Sequence, residues 1–462
     1  MRNLLIITLA LIMLASCGTT DQKESKISGQ VLNLDNDFAL LIGKGITDTI
    51  WLGEDGSFSQ TIMLSGPSYY RFRAGRINNS LYLNPGGDIE LVVDISNASD
   101  NPFKGGSLAQ QNNTLFEVNQ TVNNVGRDFR GLFTLSKEEF LNTIDSLNTL
   151  TSTLIESIEN TDKIFTSLEK ARVNYLFASW KYNYPEYNAR ILGEEFTANE
   201  DDYKFIEEVD FANIKHFSIS EYTSLIENHI NRLYYAEVSK DQHKGKSVFE
   251  QTLMRFDMID SIVPNQTMQD FFKFNSTSEA VKWSSLEVAK NVAEHFIANA
   301  QTADYRQLVE KALAKRMLLA PGQPAPGFTL TSIDGKEYSL SDFRGQLVYL
   351  DFWASWCGPC RREIPHLKKL KEAYKGKPIA IIAISIDDDK AAWEKMVKDQ
   401  ELGGYQLHAE KAWLSDAAQQ YQVYGVPTFV LIDGEGKIIE YPATRPSDPE
   451  TVLTIDKHLK ML

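Results

Sequence analysis

Hydrophobic and polar positions divide the chain into three stretches of different period. In residues 27–93, short apolar runs and alternating segments are broken at regular intervals by turn residues. Residues 27–31 alternate, 38–42 are apolar, and Glu54-Asp55-Gly56-Ser57 separates the run 49–52 from 58–64. Residues 69–73 alternate again, and Asn84-Pro85-Gly86-Gly87-Asp88 turns the chain from 80–83 into 89–93. Short strands joined by such turns predict a small β-sandwich over residues 27–100. Asn101-Pro102-Phe103-Lys104-Gly105-Gly106 reads as a boundary. Beyond it the period becomes helical: Phe249, Leu253 and Phe256 fall on one face, as do Tyr305, Leu308, Val309 and Ala312. Residues 107–318 therefore read as an all-α region. Its aromatics Trp180, Tyr182, Tyr184 and Tyr187 and the isolated His216, His229 and His295 fit helix packing.

Residues 319–462 change period once more. Leu319 to Gly327, rich in Pro and Gly, reads as a linker, and residues 328–331 and 337–340 form a hairpin around Asp334-Gly335. Ser341 is expected to cap a short turn. The runs 347–353 and 379–386 are almost wholly apolar, as strands buried on both faces are. Helical segments are expected after Cys360, from Asp387-Asp388-Asp389 to about Asp399, over 415–421 and over 449–459. Short strands are expected at 405–408, 429–432 and 437–441. The fold class is multidomain: β-sandwich, all-α region, then an α/β domain.

A length of 462 residues suits about three domains of roughly 150 residues. The net charge of −15 argues against a nucleic-acid partner. Residues 1–17 read as an export signal: Arg2 is followed by an apolar run over 4–14, shorter than the roughly 18 residues a spanning helix needs. Leu14-Ala15-Ser16-Cys17 resembles the bacterial lipobox, which implies lipidation of Cys17, removal of the segment before it, and a polar tether over 18–26. The expected location is the cell envelope, lipid-anchored and facing the periplasm.

Of three cysteines, two remain: Trp356-Cys357-Gly358-Pro359-Cys360, between a buried strand and a helix. Structural zinc wants four ligands, and a ring this short contributes little as a structural crosslink. Thiols at a helix N-terminus favour the thiolate, the attacking species in disulfide exchange.

DFWASWCGPC, then Arg362-Glu363-Ile364-Pro365, then Gly425-Val426-Pro427-Thr428 together resemble the thioredoxin fold. More narrowly, they resemble the TlpA/ResA type of membrane-tethered thiol-disulfide oxidoreductase, over residues 319–462. Residues 379–423 are similar to that family's extra insertion. The sandwich resembles, on weaker signals, the β domain that precedes such domains in Bacteroidetes lipoproteins. The resemblance implies Cys357 as exposed attacking thiol, Cys360 as buried resolving thiol, and a Cys357–Cys360 disulfide. It implies Asp351 as a buried base and Glu363 as an acid that adjusts the thiols. It places Ala383 where thioredoxins carry a lysine beside that base. Pro427 matches a cis-proline that frees the Val426 backbone to pair with a substrate strand. Trp356, Gly358 and Pro359 would complete the substrate surface, with Trp353 packed beneath. No cofactor or metal is implied. Implied partners are disulfide-containing envelope proteins, apocytochrome c among them, and an upstream membrane thiol reductant. A peroxidase lacks its PxxxTxxC motif here. A disulfide oxidase or isomerase, and an envelope ligand-binding protein with a redox-switch cysteine pair, stay open.

Overall fold

The computed structural model describes residues 22–34, 36–43, 46–97, 99–158 and 162–462. The export signal and Cys17 lie outside the described residues. The chain divides into two compact units, one ending at Leu233 and one starting at Tyr234.

The first unit opens with β1 (Lys23–Leu32), β2 (Phe38–Gly43), β3 (Ile46–Trp51), β4 (Ser57–Leu64), β5 (Ser68–Ala74), β6 (Ile77–Leu83), β7 (Asp88–Asp94) and β8 (Phe103–Gly105). They form two four-stranded sheets, β4-β1-β7-β8 and β3-β2-β5-β6. Only the β1–β7 pairing is parallel. Alternate residues such as Ile27, Val31, Phe72, Leu81 and Leu91 fill the space between them, as sheet-on-sheet packing requires.

Two features depart from the sequence pattern. β1 begins within the segment expected to be tether, because Ser25 is buried and its hydroxyl donates to Gly87 O at 2.9 Å. A polar residue pointing inward hides the alternation. β8 occupies the expected boundary: Phe103 is buried in the sandwich core, and Val92 N–H donates to Pro102 O at 2.8 Å.

The helices are α1 (Ala109–Gly126), α2 (Phe129–Thr134), α3 (Lys137–Glu156), α4 (Lys163–Leu192), α5 (Ser220–Val238), α6 (Val248–Ile262), α7 (Gln266–Trp283), α8 (Leu286–Asn299) and α9 (Ala303–Met317). The division between the units falls within α5. Tyr182 and Tyr184 are buried among helices, as expected of packing aromatics. No described helix is long and apolar enough to cross a membrane.

In the second unit, α6–α9 precede a seven-stranded sheet. Its strands are β9 (Thr329–Ser332), β10 (Glu337–Ser339), β11 (Leu347–Trp353), β12 (Ile379–Ser385), β13 (Tyr405–His408), β14 (Thr428–Ile432) and β15 (Ile438–Glu440), in the order β10-β9-β13-β12-β11-β14-β15. Its helices are α10 (Gly358–Ala373), α11 (Lys390–Asp399), α12 (Asp416–Gln420) and α13 (Pro449–Leu459). β11 runs parallel to β12 and antiparallel to β14, and every one of its residues is buried. Val348, Leu350 and Phe352 face one layer of the core, while Leu347 and Tyr349 pack with Leu367 and Leu370 of α10 and Ile455 of α13. A sheet covered on both faces explains why the run is apolar but for Asp351.

The segment expected to be a linker is part of this unit. Leu319 is fully buried, Gly322 N–H donates to Ile438 O at 2.7 Å, Ile438 N–H to Gln323 O at 2.8 Å, and Ala325 N–H to Gly436 O at 2.9 Å. Its backbone groups find partners along β15, which local composition does not reveal. The turn before β11 is also opened differently: Asp342 accepts from Ser339 N–H at 2.8 Å, so Ser339 and not Ser341 stands at its start.

Candidate active site

β11 delivers the chain to the turn at residues 354–356, and α10 starts at Gly358 with Pro359 in its first turn, where the missing N–H costs nothing. Cys357 is the N-cap, and Cys360 N–H points at Cys357 Sγ at 3.0 Å. Cys357 and Cys360 form a disulfide with Cα atoms 5.3 Å apart. A Cβ on Gly358 would meet nothing within 4 Å. Glycine here leaves open space beside the sulfurs and is not demanded by packing.

The turn is held from below by Asp387. This buried carboxylate accepts from Ser355 N–H at 2.9 Å, from the Ser355 hydroxyl at 2.7 Å and from the Ser385 hydroxyl at 2.7 Å. In the sequence it looks like one of three aspartates opening a helix, yet only Asp389 caps α11. The bond to Ser355, which makes it a positioning residue, spans two chain segments.

The peptide bond Val426–Pro427 is cis, and Val426 O lies 3.4 Å from Cys357 Sγ. This loop and the turn together cover the disulfide. Cys357 is 4% exposed and Cys360 3%, so the first cysteine is not the exposed group expected from the turn alone. Trp356 is the exposed member, at 59%, with its ring 6.2 Å from that of Trp413. Trp353 is buried in the core, as expected.

Asp351 lies on the face of β11 that meets α10, and it is buried. Its Oδ1 has no hydrogen-bond partner among the described residues. Burial pushes its carboxyl up to about 7; Lys371 opposes the rise and Glu363 adds to it. Ala383 is its register partner on β12, and the nearby cation comes from α10 instead. Burial in turn pulls the Lys371 ammonium down, against the attraction of Asp351, and its Nζ donates to Gly403 O. Lys371 is hidden in the sequence because the resemblance to thioredoxins places this lysine on the strand, at Ala383. The signal was present: Cys360, Ile364, Leu367 and Lys371 follow helical spacing down one face of α10.

Those four residues, with Asp351 and Gln406, are among those lining a small cavity of about 20 Å³, room for a single water molecule. It joins the Asp351 carboxyl to Cys360 and does not include Cys357. Glu363 is buried, but its carboxylate accepts from Ser447 N–H at 3.0 Å and from the Ser447 hydroxyl at 2.9 Å. It ties α10 to the loop before α13, and its charge adds to the rise of the Asp351 titration. The sequence-derived site residues thus gather at one end of β11, with Asp351 behind Cys360 and Glu363 turned aside.

A family described as AhpC/TSA matches residues 321–441. The thiol-disulfide oxidoreductase ResA of Bacillus cereus is 35% identical over 133 residues, which cover 29% of this chain and 75% of that protein. ResA of Bacillus thuringiensis is 37% identical over 119 residues, covering 26% of this chain and 67% of that protein. The thioredoxin domain of a thiol-disulfide oxidoreductase from Bacteroides vulgatus is 33% identical, covers 30% of this chain and 99% of its own, and has a TM-score of 0.29. On the matches to ResA, and with a closed Cys-Gly-Pro-Cys ring between a central strand and its helix, the chain belongs to the thioredoxin-like thiol-disulfide oxidoreductases of the ResA type.

Proposed function

We propose that the chain is a lipid-anchored reductase of disulfides in the cell envelope, working through Cys357 and Cys360. The observation that carries this is the unequal surroundings of the two sulfurs. Cys357 Sγ receives a backbone N–H at a helix N-terminus, which stabilises its thiolate. Cys360 borders the cavity that reaches a carboxyl pushed up to about 7, the range in which a side chain accepts and returns protons at neutral pH.

In the reduced protein the Cys357 thiolate attacks one sulfur of a client disulfide. The client S–S bond breaks, a mixed disulfide forms, and the departing client thiolate takes a proton from solvent. The Asp351 carboxylate takes the Cys360 proton, and the Cys360 thiolate attacks Cys357 Sγ. The Cys357–Cys360 bond forms and the second client thiolate leaves. Two electrons pass to the client. An upstream membrane thiol reductant then restores the dithiol. Gly358-Pro359 between the cysteines fits a reductant, with a potential nearer about −270 mV than about −120 mV. Apocytochrome c is the client implied by the resemblance of the sequence motifs to the TlpA/ResA type, and Cys17 would supply the membrane tether.

The test is trapping. Cys360→Ser should accumulate a mixed disulfide through Cys357, and Cys357→Ser should accumulate little. Capture through Cys360 instead would overturn the assignment of roles.

A further inference from the structure

We propose that Trp283, the last residue of α7, is a specificity-determining residue that forms one wall of the docking site for the client polypeptide. The inference rests on the exchange reaction proposed above.

Trp283 is 49% exposed, and its indole N–H donates to Glu279 Oε2 at 2.9 Å, which orients the ring. The ring leans on the loop that covers the disulfide: a Cβ on Gly425 would fall 2.8 Å from Trp283 Cη2. Gly425 needs no unusual backbone angle, so the indole is what a side chain there would have to displace. The adjacent Tyr424, 44% exposed, sets its ring edge-on to Trp283 with centroids 6.5 Å apart, and Lys282 Nζ lies 5.8 Å above the Tyr424 ring. Two residues after Tyr424, Val426 O lies 3.4 Å from Cys357 Sγ. On the turn side the rim is Trp356. A nearly buried disulfide thus has large exposed aromatics on both the turn and the loop that cover it.

Exposed, rigid aromatic surface marks a binding site. The occupant is an extended polypeptide that carries the disulfide. Exchange requires a client sulfur at Cys357 Sγ, in the notch beside Val426. A client of one or two residues ends there, whereas a longer chain continues over Gly425 onto the indole. The helical region would thereby select for polypeptide over small disulfides.

The test compares two disulfides on the full-length protein: a peptide of about a dozen residues with one internal disulfide, and hydroxyethyl disulfide. Trp283→Ala should raise KM for the peptide about tenfold with little change in kcat. The ratio of kcat/KM, peptide to small disulfide, should fall by a similar factor. Trp283→Phe should recover most of the loss. Gly425→Ala should raise the peptide KM when Trp283 is present and add little in the Trp283→Ala background, the non-additivity expected of residues in contact. An equal fall for both disulfides, an unmoved peptide KM, or additive effects at 283 and 425 would overturn the proposal. Wild-type protein inert toward both disulfides would instead overturn the exchange reaction on which it rests.

Discussion

Glu169 in the first unit and Asp351 in the second are both carboxylates shut away from solvent, yet they differ in every partner. Glu169 accepts from the Tyr69 hydroxyl at 2.9 Å and from Arg172 Nε at 2.8 Å and Nη2 at 2.6 Å. Arg172 donates further to Glu221 at 2.8 Å and Asn119 at 3.0 Å. Here buried charge is fully paired, and the cluster joins β5, α1, α4 and α5 within one unit. Asp351 has an oxygen without a partner among the described residues and a lysine that reaches it through field alone. Complete pairing fixes a charge; incomplete pairing leaves a proton free to come and go near pH 7. The first arrangement suits a scaffold and the second suits chemistry.

The contrast is most strongly tested by removing the paired group. Glu169→Ala should destabilise the first unit by about 3 kcal/mol, because it leaves a buried guanidinium with only Glu221 and Asn119 as partners, and should leave the potential of the Cys357–Cys360 pair where it was. Denaturant unfolding followed by circular dichroism, beside a redox titration, reads both. A potential that moved with stability would erase the distinction between scaffold and site.

Asp351→Asn should act in the opposite direction. The folded carboxyl titrates above its unfolded value, so its contribution is fully present below about pH 4 and is lost as pH rises through about 7. That shift corresponds to on the order of 4 kcal/mol, and the new buried amide takes back part of it. The variant should therefore be more stable than wild type at pH 8 by about 2 kcal/mol, with the advantage shrinking toward pH 4. The resolving step should slow by about a hundredfold and lose its rise through pH 7. Equal stabilities at pH 8 would show that Asp351 is not held as a costly buried charge.

The smallest effect is expected at Lys371. Lys371→Met removes the cation that lowers the Asp351 titration, so the midpoint of the carboxyl should climb by up to about one pH unit. Infrared titration of the carboxyl band in wild type and variant measures it. A midpoint that fell would reverse the assigned direction of the interaction.

How much of this was legible in the sequence depended on how local each cause was. β11 and α10 could be read because an almost wholly apolar run meets Pro359 at a helix start. The cis loop could be read from Gly425-Val426-Pro427-Thr428. The burial of Cys357 could not, since the covering loop lies about seventy residues further on. Lys371 could not be assigned to Asp351 until α10 was laid against β11. Asp387 looked like a helix cap because its bond to Ser355 crosses two segments. Ser25 misled the strand boundary by turning a polar side chain inward. Periodicity carries the layers, whereas pairings between distant segments carry the electrostatics of the site.

The stretch alongside β15 has a practical consequence. β15 ends the order of the seven-stranded sheet, and residues 322–325 run beside it through two backbone hydrogen bonds to Ile438 and a third to Gly436 in the turn before it. It serves as a guard on an otherwise open edge, the place where sheets of different molecules stick together. A protease nick there, or a fragment begun at Phe328, would keep both cysteines and every buried strand yet bare that edge to aggregation. A fragment begun before Arg316 would keep the guard and its latch, since the Arg316 guanidinium donates to Tyr441 O at 2.7 Å. Residues that precede the first strand of this redox domain are thus expected to govern how readily it aggregates.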